Sequence, residues 1–332
     1  MNTRPLGASG MQVSALGLGC MGMSGMYGAA DEAESVATIH AALDAGVTLL
    51  DTGDFYGMGH NELLIREALR GRNRAQVQVS VKFGVLRDPA GGMNGNDARP
   101  AAVKNFLAYT LRRLGTDYVD IYRPARVDPN VPIEETVGAI ADMVKAGYVR
   151  FIGLSEAGAE TIRRAHAVHP IADLQIEYSL FSRGIERAIL PVCRELGIGI
   201  TAYGVLSRGL LSGRWTREQS PASGDMRAFS PRFQGENLAQ NLLLVERLRE
   251  LAAARGVSVA QMAIAWVLSR GDDMIPLIGS RRREQLAEAL GALDVTLSDS
   301  DVAQIEAAAP AEVVAGERYH AHQMRTLDSE KG

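Results

Sequence analysis

Short apolar runs alternate with amphipathic stretches along nearly the whole chain, and this alternation constrains the fold most. Strict strand–helix alternation favours a parallel sheet with helical crossovers. Eight such units favour a closed (β/α)8 TIM barrel over an open sheet. The predicted strands are 16–19, 47–50, 77–81, 118–122, 149–153, 172–176, 198–202 and 274–277. The predicted helices are about 31–45, 60–70, 99–114, 133–146, 158–168, 184–196, 238–270 (broken at Gly256) and 282–292.

Two segments fall outside this alternation. Residues 3–15 carry glycines between short segments, and residues 204–237 are rich in Gly, Ser, Arg and Pro. A loop as long as the second is usually a lid, a binding loop or a disordered segment. No domain boundary is visible, so residues 1–332 are predicted to form a single (β/α)8 barrel domain.

The composition is that of a large folded protein and does not point to a nucleic-acid or membrane partner. The chain has 332 residues, 46% of them hydrophobic, and a net charge of −4 with no basic block. The start lacks the apolar run of a signal peptide, and no stretch approaches the roughly 20 apolar residues of a membrane span. With only two cysteines, a reducing, cytoplasmic setting is expected, partly from these absences.

Charged residues end two of the predicted buried strands. Burying a charge costs free energy unless the charge is paired with another group or serves a function. Asp51 ends the second strand and Lys82 the third. Lys82 shares a strand face with Ser80 and would point into the barrel near its C-terminal mouth, where barrel active sites are built. Together with Tyr56 these residues predict a proton donor. The ammonium would lower the phenol pKa, and the carboxylate would hold the ammonium.

A family resemblance rests on the same residues. The motif Asp-Thr-Gly-Asp-Phe-Tyr-Gly from Asp51, with Lys82-Phe after the next strand, resembles the aldo-keto reductases, and the similarity extends over about residues 4–310. It implies a (β/α)8 barrel with an N-terminal hairpin cap, a C-terminal helical tail and a nicotinamide cofactor. The family's catalytic tetrad is Asp, Tyr, Lys and His. The resemblance assigns the first three of these roles to Asp51, Tyr56 and Lys82.

The family's histidine has no counterpart here. The family usually reads Tyr-Xaa-Xaa-His-Arg after the fourth strand, whereas this chain reads Tyr122-Arg-Pro-Ala-Arg and has Ala125 in that place. In relatives the histidine donates a hydrogen bond to the substrate carbonyl, which alanine cannot do. Arg123 or a water could supply a replacement donor.

The resemblance also implies where a nicotinamide would bind. No Gly-Xaa-Gly-Xaa-Xaa-Gly motif opens a helix after the first strand, so a Rossmann site is not indicated. Instead Ser155 and Gln175 would hold the carboxamide, and the Tyr203 ring would stack on the nicotinamide. Backbone groups from Leu206 to Gly209 would cradle the pyrophosphate. The alternative for Gln175 is a buried amide that satisfies backbone groups.

A basic helix start follows the eighth strand and predicts the choice of cofactor. Ser280 and Arg281 precede two further arginines, and Gln285 lies in the same turn. Backbone N–H groups at a helix start attract phosphate, and arginines add charge and a bidentate fork, so NADPH is favoured over NADH. The alternative is a solvated basic helix start. Relatives often place Glu-Asn where this chain has Glu288-Ala289, so the adenine contact looks missing.

The predicted function is therefore an NADPH-dependent oxidoreductase that transfers hydride to the carbonyl of an aldehyde or ketone, or in reverse from an alcohol. A small-molecule carbonyl or alcohol is the expected partner, no metal site is predicted, and an oligomer is possible. One alternative to this function is a low-turnover NADPH-binding sensor or accessory subunit, and the absence of the histidine favours this alternative more than an intact tetrad would. Another is a non-redox barrel enzyme that uses Lys82 as an amine nucleophile.

Overall fold

A computed structural model describes residues 1–221 and 224–331 of the chain. The strands in these residues begin with a short hairpin, and a second hairpin follows the third barrel strand. In chain order they are β1 (Thr3–Pro5), β2 (Gln12–Ser14), β3 (Gly17–Gly19), β4 (Leu49–Gly53), β5 (Gln78–Phe83), β6 (Val85–Arg87), β7 (Met93–Asn96), β8 (Val119–Pro124), β9 (Val149–Ser155), β10 (Ile171–Glu177), β11 (Gly199–Tyr203) and β12 (Met274–Gly279).

Eight parallel strands close into a barrel in the order β3, β4, β5, β8, β9, β10, β11 and β12. Each overlaps one predicted strand, so the predicted (β/α)8 TIM barrel is confirmed. Along these strands side chains alternate between the surrounding helices and the interior. Polar side chains on the inner face, among them Ser80, Lys82, Asp173 and Gln175, are buried in the upper half of the barrel.

Helices follow the barrel strands close to the predicted positions. The predicted helix at 184–196 is a 3₁₀ turn (Gly184–Glu186) followed by a short helix, and the long one divides in two near Gly256. The helices are α1 (Glu32–Asp44), α2 (His60–Ala68), α3 (Pro100–Leu114), α4 (Ile133–Lys145), α5 (Ala159–Val168), α6 (Ile189–Glu195), α7 (Gly235–Ala254), α8 (Val259–Ser269), α9 (Arg283–Leu290), α10 (Asp299–Ala308) and α11 (Ala321–Thr326).

Local chemistry sets several helix ends. Helix α3 has Pro100 in its first turn and ends at Gly115, whose φ of 66° is left-handed. Helix α8 begins with a capping box, in which Ser258 accepts from the Gln261 backbone N–H and the Gln261 side chain accepts in return. These signals are readable from the sequence, which explains why the predicted helices lie close to the observed ones.

The N-terminal hairpin closes the bottom of the barrel. Strands β1 and β2 pair antiparallel, and Leu6, Met11 and Val13 pack inside the barrel against residues of the strands. Gly7 lies against the start of β11, where an added Cβ would be 2.3 Å from the carbonyl oxygen of Gly197. This close approach requires glycine. The predicted hairpin over residues 3–15 is therefore confirmed.

Two segments cover the opposite end, the mouth at the C-terminal ends of the strands. In its described residues, 204–221 and 224–237, the predicted long loop contains three 3₁₀ turns, at Ser207–Ser212, Met226–Phe229 and Pro231–Phe233. Beyond α10 the chain returns to the mouth, where the backbone N–H of Ser329 donates to the Glu156 carbonyl oxygen at 3.0 Å. The predicted C-terminal tail is thus partly helical and reaches the end of β9.

A membrane span was also sought within residues 1–221 and 224–331. No single helix there has both the length and the apolar composition needed to cross a bilayer. Helices α7 and α8 satisfy that test only when taken together, and they meet at an angle of 87°. Most side chains of α8 are buried in the protein core, with Trp266 fully enclosed.

Candidate active site

Asp51 and Lys82 lie together at the mouth, as the sequence predicts. Their strands are neighbours, and the Lys82 ammonium donates to an Asp51 oxygen and, at 2.7 Å, to the Gln175 side-chain oxygen. The Gln175 amide donates in turn to the other Asp51 oxygen at 2.7 Å, and Ser80 donates to that same oxygen at 2.9 Å. All four side chains are buried. Every group in this cluster therefore has a partner, as buried charges require.

Tyr56 lies beside this cluster, at the start of a 3₁₀ turn (Tyr56–Gly59) after β4. Its ring centroid is 5.2 Å from the Lys82 Nζ atom, and the side chain is 5% exposed. Burial raises the pKa of Tyr56 well above its usual value, the Asp51 charge adds to the rise, and Arg126 opposes it. The predicted fall of this pKa is wrong in this structure, because burial, the largest effect, and the Asp51 charge together outweigh any lowering by the Lys82 ammonium.

Ala125, which stands in the position of the missing histidine, is shielded from solvent. Ala125 is 1% exposed, and its backbone N–H donates to the Phe83 carbonyl oxygen at 2.8 Å. The predicted replacement donor, Arg123, lies below the mouth with no solvent exposure. Its guanidinium is 2.9 Å from an Asp173 oxygen and donates to Ser80 at 2.8 Å. Arg123 is bound inside the barrel, so its predicted role as a donor to substrate is wrong.

Arg126, which sequence reasoning passed over, is the cation that reaches the mouth next to Ala125. Its Nη1 atom donates to the Ala125 carbonyl oxygen at 2.6 Å, and its Nη2 atom is 3.5 Å from the Tyr319 hydroxyl. The side chain is half-buried. A signal was available: Arg126 directly follows the position where the family has its histidine.

The predicted nicotinamide contacts lie side by side. Ser155 ends β9 opposite Gln175 on β10, and Tyr203 ends β11 next to β10. The Ser155 hydroxyl is buried without a hydrogen-bond partner among the described residues, which fits an amide ligand. Both ends of the Gln175 amide contact side chains rather than backbone, so the alternative role of Gln175 is wrong. The Tyr203 hydroxyl donates to Glu156 at 2.7 Å, which holds its ring at the mouth.

The C-terminal segment forms one wall of the mouth, which sequence reasoning missed. Arg318 donates to Glu156 at 2.5 Å and 3.0 Å, and Ser329 donates to it at 2.7 Å. Burial alone would raise the pKa of Glu156, but the Arg318 guanidinium lowers it to about 2. The Tyr319 hydroxyl is 2.9 Å from that of Tyr203. Glu156 thus anchors the tail over the predicted nicotinamide site.

The predicted pyrophosphate loop turns sharply after β11. Leu206 immediately precedes three residues with positive φ: Ser207 at 47°, Arg208 at 55° and Gly209 at 106°. The backbone N–H of Ser207 donates to the Gly204 carbonyl oxygen at 2.7 Å, and that of Gly209 donates to the Leu206 carbonyl oxygen at 2.8 Å. An anion bound here would therefore use other N–H groups of the turn or replace one of these bonds. The Arg208 guanidinium lies 4.3 Å from the Tyr319 ring centroid, so the loop also contacts the tail.

The predicted phosphate group lies at the start of α9. Ser280 is buried, and Gln285 is half-buried in the first turn of the helix. Arg281 donates to the carbonyl oxygens of Tyr27 and Ala29 at 3.0 Å and 3.1 Å, so it also fixes the loop after β3. Arg282 is exposed. Glu288, where relatives would contact adenine, accepts a hydrogen bond from Arg214 at 2.7 Å, and the missing adenine contact stays a prediction.

Other features of the surface do not compete with this site. Two clefts, of about 450 Å³ and 280 Å³, lie elsewhere, and neither is lined by Asp51, Tyr56 or Lys82. Within the described part of the chain, no group of three or more His, Cys, Asp or Glu side chains is arranged to hold a metal ion. The convergence of buried titratable groups at the mouth makes it the candidate active site.

Known proteins are similar to this chain in both sequence and fold. Residues 15–310 match the sequence profile described as the Aldo/keto reductase family. A Glycine max protein named Probable aldo-keto reductase 1 is 44% identical over 316 residues, which cover 95% of this chain and 91% of that protein. The glycerol dehydrogenase from Gluconobacter oxydans is similar with a TM-score of 0.84 and 30% identity, over 93% of this chain and 96% of that one. A thermostable aldo-keto reductase in complex with the inhibitor epalrestat is similar with a TM-score of 0.74 and 27% identity, over 93% of this chain and 100% of that one.

Proposed function

Because this chain belongs to the aldo/keto reductase family and is an oxidoreductase, we propose that it reduces the carbonyl group of an aldehyde or ketone with NADPH, and that Tyr56 supplies the proton. One observation carries the proposal. The Tyr56 ring lies 5.2 Å from Lys82 of the Asp51–Lys82–Gln175 cluster at the barrel mouth. Ser155, whose hydroxyl has no partner among the described residues, pairs with Gln175 of the same cluster across β9 and β10. Tyr56 and the residues predicted to hold the carboxamide therefore lie on the same rim, which supports this assignment of roles.

The protonation state of Tyr56 fits a proton donor. A phenol is protonated at neutral pH even at its usual pKa, and burial with the Asp51 charge raises the pKa of Tyr56 further, so the proton needed by a carbonyl oxygen is present. Alcohol oxidation needs the opposite form, a tyrosinate that accepts a proton. Lys82, held by Asp51 and Gln175, is a positioning residue that supports the Tyr56 ring from inside the barrel. When bound, the reduced nicotinamide supplies the hydride.

The cofactor would be held from both ends of the mouth. Ser155 and Gln175 would take the carboxamide, and the Tyr203 ring would cover one face and fix which side of the nicotinamide meets the substrate. The positive-φ turn up to Gly209 would receive the pyrophosphate. Ser280 and the arginines before α9 would receive the 2′-phosphate, which supports NADPH over NADH.

The cellular setting belongs to the same proposal. Cys20 and Cys193 are both free and buried, and burial raises the pKa of each thiol, which leaves them inert. Free thiols agree with a reducing compartment, so we place the reaction in the cytoplasm.

A turnover assay tests the proposed function. NADPH consumption is followed with a panel of aldehydes, ketones and sugars, and NADP⁺ reduction is followed with glycerol because of the glycerol dehydrogenase neighbour. We expect many turnovers with at least one carbonyl compound and slower alcohol oxidation. Oxidation of no more than one equivalent of NADPH across the panel would instead identify the sensor or accessory subunit. Trapping of a keto substrate on Lys82 by borohydride would identify an amine nucleophile.

A further inference from the structure

The charges around the mouth are almost all paired. Three of its arginines have a carboxylate within 4 Å: Arg123 with Asp173, Arg208 with Glu177, and Arg318 with Glu156. The Lys82 ammonium is neutralised by Asp51 in the same way. Arg126 differs, because no carboxylate among residues 1–221 and 224–331 lies within that distance of its guanidinium. Among the described residues, the mouth therefore holds one positive charge with no carboxylate in direct contact, although Glu156 attracts it from farther away.

The hydrogen bonds of Arg126 leave most of its capacity unused. A guanidinium carries five N–H donors in a planar fork. One contact goes to the neighbouring Ala125 carbonyl at 2.6 Å, and a second, to the Tyr319 hydroxyl, is long at 3.5 Å. The Tyr319 ring centroid is 5.9 Å from the guanidinium carbon. A half-buried cation with spare donors is costly unless an anion meets it.

Arg126 is placed to meet a group on the substrate. The backbone N–H of Ala125 donates to the carbonyl oxygen of Phe83, the residue that follows Lys82. The backbone of Arg126 therefore lies close to the end of the strand that carries Lys82. Burial lowers the pKa of Lys82 most, Asp51 opposes this, and both Arg123 and Arg126 add to the lowering. The nearby Glu156 attracts the Arg126 charge through space, but its side-chain oxygens accept from Arg318, Ser329 and Tyr203 rather than from Arg126.

We propose that Arg126 binds a carboxylate on the substrate, so that this active site prefers carbonyl compounds that also carry a carboxylate. The inference rests on the proposed carbonyl reduction and adds the substrate class to it. A guanidinium fork grips a carboxylate with two parallel hydrogen bonds. Held in this way, the substrate is oriented toward Tyr56 without the histidine that Ala125 replaces. Arg126 is then a substrate-binding residue, and its loss should act chiefly on KM.

The test compares matched acids and esters. The substrates are 2-, 3- and 4-carboxybenzaldehyde and the methyl ester of each, with saturating NADPH. We expect the wild-type protein to reduce at least one acid with a kcat/KM at least tenfold above that of its ester. Arg126→Met should remove that preference, mainly by raising KM for the acid, and should leave the ester within about twofold. Arg126→Lys should keep part of the preference, since it keeps the charge.

The control is Arg164→Met, because Arg164 is an exposed arginine on α5 that pairs with Glu134. It should leave all six rates unchanged. Absence of any acid preference in the wild-type protein would overturn the proposal. An equal loss for acid and ester in Arg126→Met would also overturn it, and would place Arg126 at the carbonyl oxygen instead. Circular dichroism checks folding, and Arg126→Gln replaces the Met variant if that variant does not fold.

Failure of the proposed function has a different signature. If none of the six compounds is reduced, carbonyl reduction itself fails, and calorimetric titration with benzoate then tests Arg126 alone. The NADP⁺-loaded wild-type protein should bind benzoate, and the Arg126→Met variant should bind it at least tenfold more weakly. Equal binding to both proteins, or none to the wild type, would overturn the carboxylate site whatever the enzyme's activity.

Discussion

At the scale of single residues, Asp54 shows how burial without a partner acts on stability. The side chain is 7% exposed, and neither oxygen has a hydrogen-bond partner of normal geometry among the described residues. Burial, with the nearby Glu62 charge, raises its pKa to about 8. The unfolded chain releases this proton near pH 4, whereas the folded protein keeps it up to about pH 8. The free energy of unfolding therefore falls as the pH rises across that window.

Asp54→Asn should remove this penalty, because the amide has the same shape and does not ionise. We expect the variant to be more stable than the wild type at pH 8.5 by at least about 1.4 kcal/mol, the equivalent of one pKa unit. Near pH 4 the two proteins should be nearly equal. Urea unfolding at both pH values measures this, with Asp117→Asn, an exposed position, as the control. The same pH slope in variant and wild type would show that Asp54 is ionised in the folded protein.

Single residues of the site were predictable to different degrees. Asp51 and Lys82 stand out because a charge at the end of a buried strand needs a partner, and their strands are adjacent. Arg123 lies on the same inner face but lower down, and its partner Asp173 is on a different strand, so spacing alone does not show its depth. Arg126 lies after the end of β8, where the alternation of side chains between the two faces of a strand no longer indicates which way a side chain points.

At the scale of elements, the eight strands and most helices could be predicted because glycines, prolines and caps mark their ends. The β6–β7 hairpin was not predicted, since its strands are short and exposed and their pattern is weak. The return of the tail to the mouth was not predictable either. It depends on an ion pair between Glu156 and Arg318, which are far apart in sequence. Only the folded barrel brings them together.

Arg318→Met tests how firmly the tail is held. Arg318 keeps the pKa of the buried Glu156 near 2, below the unfolded value of about 4.3. This contribution to stability is therefore present above about pH 4.3 and is lost as the pH falls through 2. Removing one partner of a buried pair typically costs about 3–5 kcal/mol, so unfolding at pH 7 should become easier by that order.

A second variant separates the pair from general damage. Glu156→Gln in the Arg318→Met background removes the stranded charge and should restore part of the lost stability at pH 7. Urea unfolding of the wild type, both single variants and the double variant gives the coupling. Additive losses would show that the two side chains do not stabilise one another.

The start of α9 is the element that should select the cofactor. We expect NADPH to bind at least tenfold more tightly than NADH, or about 1.4 kcal/mol. Arg281→Ala should shrink that preference and should also weaken both cofactors, because Arg281 holds the carbonyls of Tyr27 and Ala29. Fluorescence titration with each cofactor measures this, with Arg282→Ala for comparison. Equal affinity of the unmutated protein for NADPH and NADH would refute the phosphate site.

At the scale of the whole molecule, the barrel joins parts of the chain that are distant in sequence. The N-terminal hairpin packs inside its lower end, and the C-terminal tail covers its mouth. A single domain over residues 1–332 stays a prediction. The strand–helix alternation predicted the architecture because it determines the order of the barrel. Apart from Asp51 and Lys82, whose strands are adjacent, it could not predict which side chains pair across the mouth.

Deuterium transfer tests the central claim most directly, that this molecule moves hydride to a carbonyl carbon with Tyr56 as proton donor. NADPH with deuterium in place of both hydrogens at nicotinamide C4 is mixed with 4-nitrobenzaldehyde, and the alcohol is analysed by mass spectrometry. We predict that the product carries the deuterium, and that Tyr56→Phe slows its formation about 10²-fold or more while NADPH still binds. Tyr109→Phe, at an exposed tyrosine, should match the wild type. Unlabelled product, or near-full activity of Tyr56→Phe, would contradict the account.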